Sequence, residues 1–336
     1  MRRFSLAFLL GAILLRTALP AAEPAFPLNT DAIRIRDPYI FAHAPERVYL
    51  MYAQTKNRPG SERLGVEVYA SQDLAHWTQP RCVLALPADK DITLVWAPEM
   101  HQHQGKYYLL VTLTFGRTLP GPPPVTSRNW PKMYVRGTYV FVADSPYGPF
   151  QPVADSAPTP EDWMALDGTL YVEDGRPFMV FCHEWVQLID GTIDAVPLRP
   201  DLSAAAEKPQ PLFRASQVPG ANQSATAGKV TDGCFLYRSP KSGKLFMTWS
   251  TYLPHSGYCV VLSESQSGKL AGPWIGHKPI YTRNGGHGML FRSFDGRLLM
   301  PLHQPNTSPD ERLHVFEVID HGDTLTFGEE IDVRAN

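Results

Sequence analysis

Short apolar runs of strand length, separated by Gly, Pro, Asp and Asn, dominate the chain, and no long stripe of helical period is present. Strands are predicted over Arg47–Tyr52, Val66–Ala70, Lys106–Leu113, Tyr139–Ala143, Pro177–Phe181, Lys244–Ser250, Tyr258–Ser263 and Arg297–Leu302. Three hairpin turns share one chemistry: Glu173-Asp174-Gly175-Arg176, Lys241-Ser242-Gly243-Lys244 and Phe294-Asp295-Gly296-Arg297. A fourth is centred on Gln104-Gly105. A second element recurs where units close, in Ser71-Gln72-Asp73 before Trp77, Ala143-Asp144-Ser145 before Phe150, and Ser263-Glu264-Ser265 before Trp274.

Taking Asp37, Trp96, Asp167, Asp232 and His287 as equivalent opening positions divides the chain into five units with a period of about sixty residues. Four strands per unit fit that length, and radial repetition protects the sheet edges. The pattern therefore predicts an all-β chain folded as a five-bladed β-propeller of four-stranded antiparallel blades, and a two-sheet sandwich would not explain the recurrence. The Pro-rich stretch from Leu119 to Pro131 falls inside the second unit and reads as a surface insertion.

Ahead of the repeats, Arg2 and Arg3 precede an apolar run from Phe4 to Leu15 and small residues around Ala22. This predicts a signal peptide over 1–22, a secreted or periplasmic protein, and one propeller domain over 23–336 with no membrane contact in the mature form. Lys and Arg total 31 and Asp and Glu 33, for a formal charge of −2. That balance leaves no electrostatic footprint for nucleic acid, and a neutral ligand suits a chain expected to act as a monomer. Cys82, Cys182, Cys234 and Cys259 lack metal-ligand spacing and are expected as buried thiols.

The innermost strands of a propeller converge on its axis, so polar residues at their matching ends can meet despite long separation. Asp37, Asp167 and Asp232 each interrupt an apolar run beside Pro or Gly. Any one of them alone is most simply a turn residue. Three at matching positions point to a shared site, because converging carboxylates repel and perturb one another's ionisation. Glu184 adds a carboxylate at the end of an apolar strand beside His183 and Trp185. Trp96, Trp185 and Trp249 are expected to form an aromatic platform, with Glu99, His287 and Arg292 lining the pocket, whereas Trp77 and Trp274 are expected to pack between sheets.

Through Arg36-Asp37-Pro38-Tyr39, Trp96-Ala97-Pro98-Glu99, Leu166-Asp167-Gly168, Thr231-Asp232-Gly233 and Gly286-His287-Gly288, the chain resembles glycoside hydrolase family 43 over nearly the whole of its expected mature length. The resemblance implies three acids: an Asp base in the first blade, an Asp in the third that orients and tunes, and a Glu acid in the fourth. By position these roles fall on Asp37, Asp167 and Asp232. Asp232 is one methylene shorter than the family's Glu, and Glu184 has the reach at another position, so the acid is one of these two. An inverting pair stands about 6.5–9.5 Å apart. His287 has two readings of equal weight, a structural histidine or one facing a calcium on the axis; no other cofactor is implied. The resemblance implies an exo-acting α-L-arabinofuranosidase or β-xylosidase on an oligosaccharide or polysaccharide, with an exo-β-1,3-galactosidase and a non-catalytic sugar-binding propeller as the alternatives.

Overall fold

The computed structural model describes residues 26–127, 129–221 and 228–334, so the expected leader over 1–22 lies outside it. Five antiparallel sheets follow one another along the chain as five blades. Blade 1 begins with Tyr39–His43, Val48–Gln54 and Gly65–Ser71, and Arg81–Ala85 pairs with its third strand. Two further short strands, Leu28–Asn29 and His76–Trp77, extend that sheet. Blade 2 comprises Ile92–His103, Lys106–Thr118, Tyr134–Ala143 and Gln151–Pro152, and blade 3 Ala165–Glu173, Arg176–His183, Thr192–Pro197 and Gln210–Arg214. Blade 4 comprises Asp232–Arg238, Leu245–Leu253, Gly257–Ser265 and Trp274–Tyr281, and blade 5 Phe291–Arg292, Leu298–Gln304, Arg312–Asp320 and Leu325–Glu330.

Every predicted strand lies in one of these sheets. The turn chemistry is as expected at Gln104-Gly105 and Asp174-Gly175, where both central residues have positive φ and the flanking pairs His103–Lys106 and Glu173–Arg176 close the ladders. The apolar core lies between blades more than within any one of them. Leu166, Val180 and Cys182 of blade 3 pack on Cys234, Met247 and Trp249 of blade 4, and Phe246 and Leu262 of blade 4 pack on Met300 and Phe316 of blade 5. A sheet with two apolar faces must bury both, and a closed ring of blades does so.

The ring closes through side chains. Glu311 of blade 5 is fully buried and takes Arg34 and Arg36, each at 3.2 Å, from the segment that leads into blade 1. The amide of Phe294 donates to the Tyr49 hydroxyl across the same seam.

The equivalent positions of the five units differ, in blades 2 and 4, from those expected from the sequence. The five innermost segments kink at Asp37, Ala97, Asp167, Gly233 and His287, with φ between 43° and 55° at each. These are the equivalent positions, and Trp96 and Asp232 each stand one residue before the kink. In blades 2, 3 and 4 the ladder skips two residues there, between Trp96 and Glu99, Leu166 and Thr169, and Asp232 and Phe235. A bulge that shifts the register turns the adjacent side chains toward the axis. Left-handed backbone costs a non-glycine residue about 1–3 kcal/mol, a strain typical of functional sites.

The amides freed by the kinks find partners on a neighbouring blade. Asp167 N–H donates to Thr112 Oγ1 at 2.8 Å, His287 N–H to Ser250 Oγ at 2.8 Å and Asp37 N–H to His303 Nδ1 at 3.2 Å, all on the second strand of the preceding blade. The kinked residues are thereby held by packing and hydrogen bonds together, as preorganised chemistry requires.

Cys182, Cys234 and Cys259 are buried free thiols, as expected. Cys82 is exposed, because it lies on the outer strand Arg81–Ala85 at the blade's rim.

Candidate active site

Three of the kinks carry the functional side chains. Asp37 Oδ1 lies 3.2 Å from His287 Nδ1 and 3.4 Å from His303 Nδ1, and His287 Nδ1 is also 3.8 Å from Asp167 Oδ2. Asp167 Oδ2 accepts the amide of Gly233 at 3.1 Å, which ties the third kink to the fourth. The kink at Gly233 must remain glycine: a Cβ there would stand 2.8 Å from the His287 ring, on a backbone that side chains rarely adopt. Asp232, one residue before it, has its Oδ2 3.1 Å from the Tyr258 hydroxyl, which donates.

A cavity of about 180 Å³ opens over this cluster. Asp37, Asp167, Asp232, Glu184 and His287 all line it, together with Arg36, Trp96, Trp185, Tyr252 and Tyr258. Convergence of the four expected carboxylates in one pocket is thus a property of the structure. Trp96 forms part of the wall, with the Arg136 guanidinium 4.2 Å above its ring. Trp185 opens a one-turn helix, Trp185–Leu188, and meets Trp130 of the Pro-rich insertion edge-on at 5.2 Å. The insertion therefore packs behind the Trp185 wall of the pocket, and Trp130 Nε1 fixes it there by donating to the Val186 carbonyl at 2.8 Å.

Environment separates the acids. Burial raises the affinity of Asp37 for a proton, but the electrostatic pull of His287 and of the Arg36 guanidinium outweighs it, and its pKa falls below the usual carboxylate range. Asp167 moves the opposite way, well above that range, through burial and the nearby charge of Asp37. Asp232 is pushed up to about 8 by burial, by Asp167 and, further off, by Glu184 and Asp37, against the pull of His287. Burial also raises Glu184, but this carboxylate is ion-paired with Arg136, whose Nε is bonded to Thr114 Oγ1 at 2.8 Å. Burial lowers His303 to about 4; the neutral ring accepts the Asp37 amide at Nδ1 and gives its Nε2 proton to Asn306 Oδ1 at 3.1 Å.

Three expected pocket residues lie elsewhere. Trp249 is fully buried between blades 3 and 4 against Phe213 and bonded to Ser263 Oγ at 3.0 Å, because its strand position faces the neighbouring sheet and not the axis. Trp77 and Trp274 are buried as expected. Trp249→Ala should lower stability by about 3–5 kcal/mol in denaturant titration while leaving the kcat/KM of the folded enzyme unchanged. Arg292 is exposed at the blade 5 hairpin and donates to the Gly296 carbonyl at 3.2 Å. Glu99 sits one layer beneath the pocket, paired with His101 at 2.9 Å, on a void of about 10 Å³ shared with Asp37 and His287.

That void bears on the calcium. It holds one water at most, whereas calcium takes about six to eight oxygen ligands. Among the described residues no group of three or more His, Cys, Asp or Glu has the arrangement of a metal site. The axial residues do not fit calcium, and His287 instead faces Asp37 and Asp167.

Arg136, Tyr252 and Tyr258 were not legible as site residues. Arg136 carried one signal, a lone cation in an otherwise apolar and hydroxylic strand; Tyr258, within Tyr-Cys-Val-Val-Leu, is indistinguishable in sequence from a core aromatic.

The arrangement of a low-pKa carboxylate, a high-pKa carboxylic acid and an aromatic wall over one cavity suits general acid–base attack on an acetal. A family model described as glycosyl hydrolases family 43 matches residues 32–319. An endo-arabinase structure from Bacteroides thetaiotaomicron VPI-5482 is 31% identical, with a TM-score of 0.73, and the match covers 93% of this chain and 100% of that one. An alpha-L-arabinofuranosidase from Lactobacillus brevis is 18% identical, with a TM-score of 0.69 over 90% and 97% of the chains. An exo-beta-1,3-galactanase from Clostridium thermocellum is 16% identical, with a TM-score of 0.63 over 90% and 64%. The last two show likeness of fold alone. No curated protein matches the sequence.

Proposed function

The chain belongs to glycosyl hydrolase family 43, and from that premise we propose that it hydrolyses α-L-arabinofuranosyl bonds of plant cell-wall polysaccharide with inversion of configuration. It is a glycoside hydrolase with a carbohydrate substrate, so the reading as a non-catalytic sugar-binding propeller falls away. The observation that carries the proposed mechanism is the opposed ionisation of Asp37 and Asp232 over one cavity.

In this mechanism Asp37, held ionised, removes a proton from the water that attacks the anomeric carbon. Asp232, held protonated at neutral pH, gives its proton to the departing glycosidic oxygen. Asp167 keeps Asp232 protonated by its proximity and fixes the Gly233 amide beside it. Tyr258 orients Asp232 through one oxygen and leaves the other free for the leaving group. The short reach of Asp232 is offset by the bulge that turns it toward the axis. Glu184 is assigned to substrate binding, because its ion pair with Arg136 opposes proton donation. Trp96 and Trp185 supply apolar surface for the sugar ring.

The cavity is smaller than the roughly 300–1,000 Å³ of drug-sized sites and suits one sugar ring, which supports exo action that releases arabinose. Full-length similarity to an endo-arabinase favours a second reading, internal cleavage of arabinan. Linear arabinan separates the two: arabinose as the sole early product supports exo action, and a ladder of oligosaccharides supports endo action. Proton NMR of the first-formed anomer tests inversion, and retention would overturn the roles of Asp37 and Asp232. The basic and apolar run from Arg2 to Leu15 supports export of the enzyme, which N-terminal sequencing of the exported protein checks.

A further inference from the structure

A second and larger cavity, of about 520 Å³, flanks the catalytic one on blade 2. Its origin is a mismatch of strand lengths. The third strand, Tyr134–Ala143, is ten residues long, but the outer strand Gln151–Pro152 pairs with it only at Phe141 and Val142. The edge from Tyr134 to Tyr139 is thus left without a fourth strand, bridged only at Arg136 by Met164 among the described residues, and the connection toward blade 3 runs opposite it, forming a cleft.

Val135, Tyr139 and Pro160 are half-buried and give this cleft an apolar floor, while Arg117, Asp155 and Glu161 stand exposed around it. Arg117 is braced over the Phe115 ring at 4.6 Å. Thr159 also lines the cleft; it is 3% exposed, and its hydroxyl has no hydrogen-bond partner among the described residues. A buried hydroxyl without a partner is uncommon and is a cost until something supplies one.

The partition between the two cavities is thin. Arg136 lines the cleft and also reaches into the catalytic pocket to Glu184 and Trp96, between Val135 and Gly137, which face the cleft. Gln187, on the helix that walls the pocket, donates to the carbonyl of Asp162 at the cleft's rim at 2.8 Å. A glycan whose reacting unit occupies the catalytic pocket therefore meets this cleft as it leaves over Arg136.

We propose that the blade 2 cleft is an extended binding site for neutral oligosaccharide, holding sugar residues beyond the one over Asp37 and Asp232. A sugar has an apolar ring face and a periphery of hydroxyls. Tyr139, Val135 and Pro160 match the first; Arg117, Asp155, Glu161 and the unpartnered Thr159 match the second. The inference rests on the hydrolase reading of the adjacent pocket, but not on which sugar that pocket takes.

The test compares kcat/KM along series of arabino-, xylo- and galacto-oligosaccharides of two to six units, and on p-nitrophenyl α-L-arabinofuranoside. The variants are Arg117→Ala with Glu161→Ala, which strips polar partners from the rim, Ser156→Trp, which fills the cleft, and Thr159→Val, which keeps its shape. None touches the catalytic pocket. Each is expected to lose about ten-fold on the longest cleaved oligosaccharides, mainly through KM, and to match wild type on the disaccharide and the aryl glycoside. Equal loss at every length, or no loss at any, overturns the extended site. Failure of the arabinose reading has a separate signature, turnover of the xylo- or galacto-series in place of the arabino-series, and the length dependence is then read in that series.

Discussion

Asp37→Asn is expected to reduce kcat/KM on arabinan by up to about 10⁴-fold while leaving oligosaccharide binding within a few-fold of wild type. The amide keeps the size of the side chain but cannot accept the proton of the attacking water. Asp37 is positioned by its own backbone, through the left-handed kink and the amide bond to His303, and these survive the substitution. Its pKa lies below the ordinary carboxylate range, so the acidic limb of the wild-type pH profile should fall at unusually low pH. Titration calorimetry with an oligosaccharide, alongside steady-state kinetics, separates lost turnover from lost binding. Unchanged turnover would remove Asp37 from the mechanism.

Asp232→Asn should be nearly as damaging on arabinan, with a loss of about 10²–10⁴-fold, and far less damaging on aryl arabinosides whose leaving groups depart without a proton. Wild-type activity should fall as pH rises through about 8, where Asp232 gives up its proton, and the variant should lose this alkaline limb on activated substrates. Stability offers an independent readout. The folded state holds this proton more tightly than the unfolded chain, so the contribution of Asp232 is full below the ordinary Asp pKa of about 3.9 and is lost as pH rises through about 8. The Asn variant cannot ionise there and should show a flatter Tm across that window. A mirror-image result, with the alkaline limb lost in Glu184→Gln and kept in Asp232→Asn, would transfer the acid role to Glu184.

Preference for Asp232 over Glu184 turns on contacts that span the chain. Arg136 is 48 residues from Glu184, and the two meet because blade 2 and blade 3 are neighbours in the ring. Asp232 is surrounded by acids from other blades and meets the Tyr258 hydroxyl from the third strand of its own. A carboxylate held by a guanidinium is a poor proton donor; one crowded by like charge is a good one. Side-chain length favoured Glu184, and electrostatic surroundings favour Asp232.

By itself the sequence determined the strands, the turns, the five-fold repeat and the positions of the carboxylates that converge. All of these follow from local rules: alternation within strands, glycine where φ is positive, and polar residues where an apolar run should continue. Only the tertiary structure decided the register of the repeat, which kinks at Ala97 and Gly233 and not at Trp96 and Asp232. Only it decided that Trp96 walls the pocket while Trp249 fills the seam between blades 3 and 4. The physical reason is the same in each case. Which way a side chain faces past a bulge, and how tightly a carboxyl holds its proton, depend on groups brought close by the closure of the ring, and no local pattern encodes those neighbours.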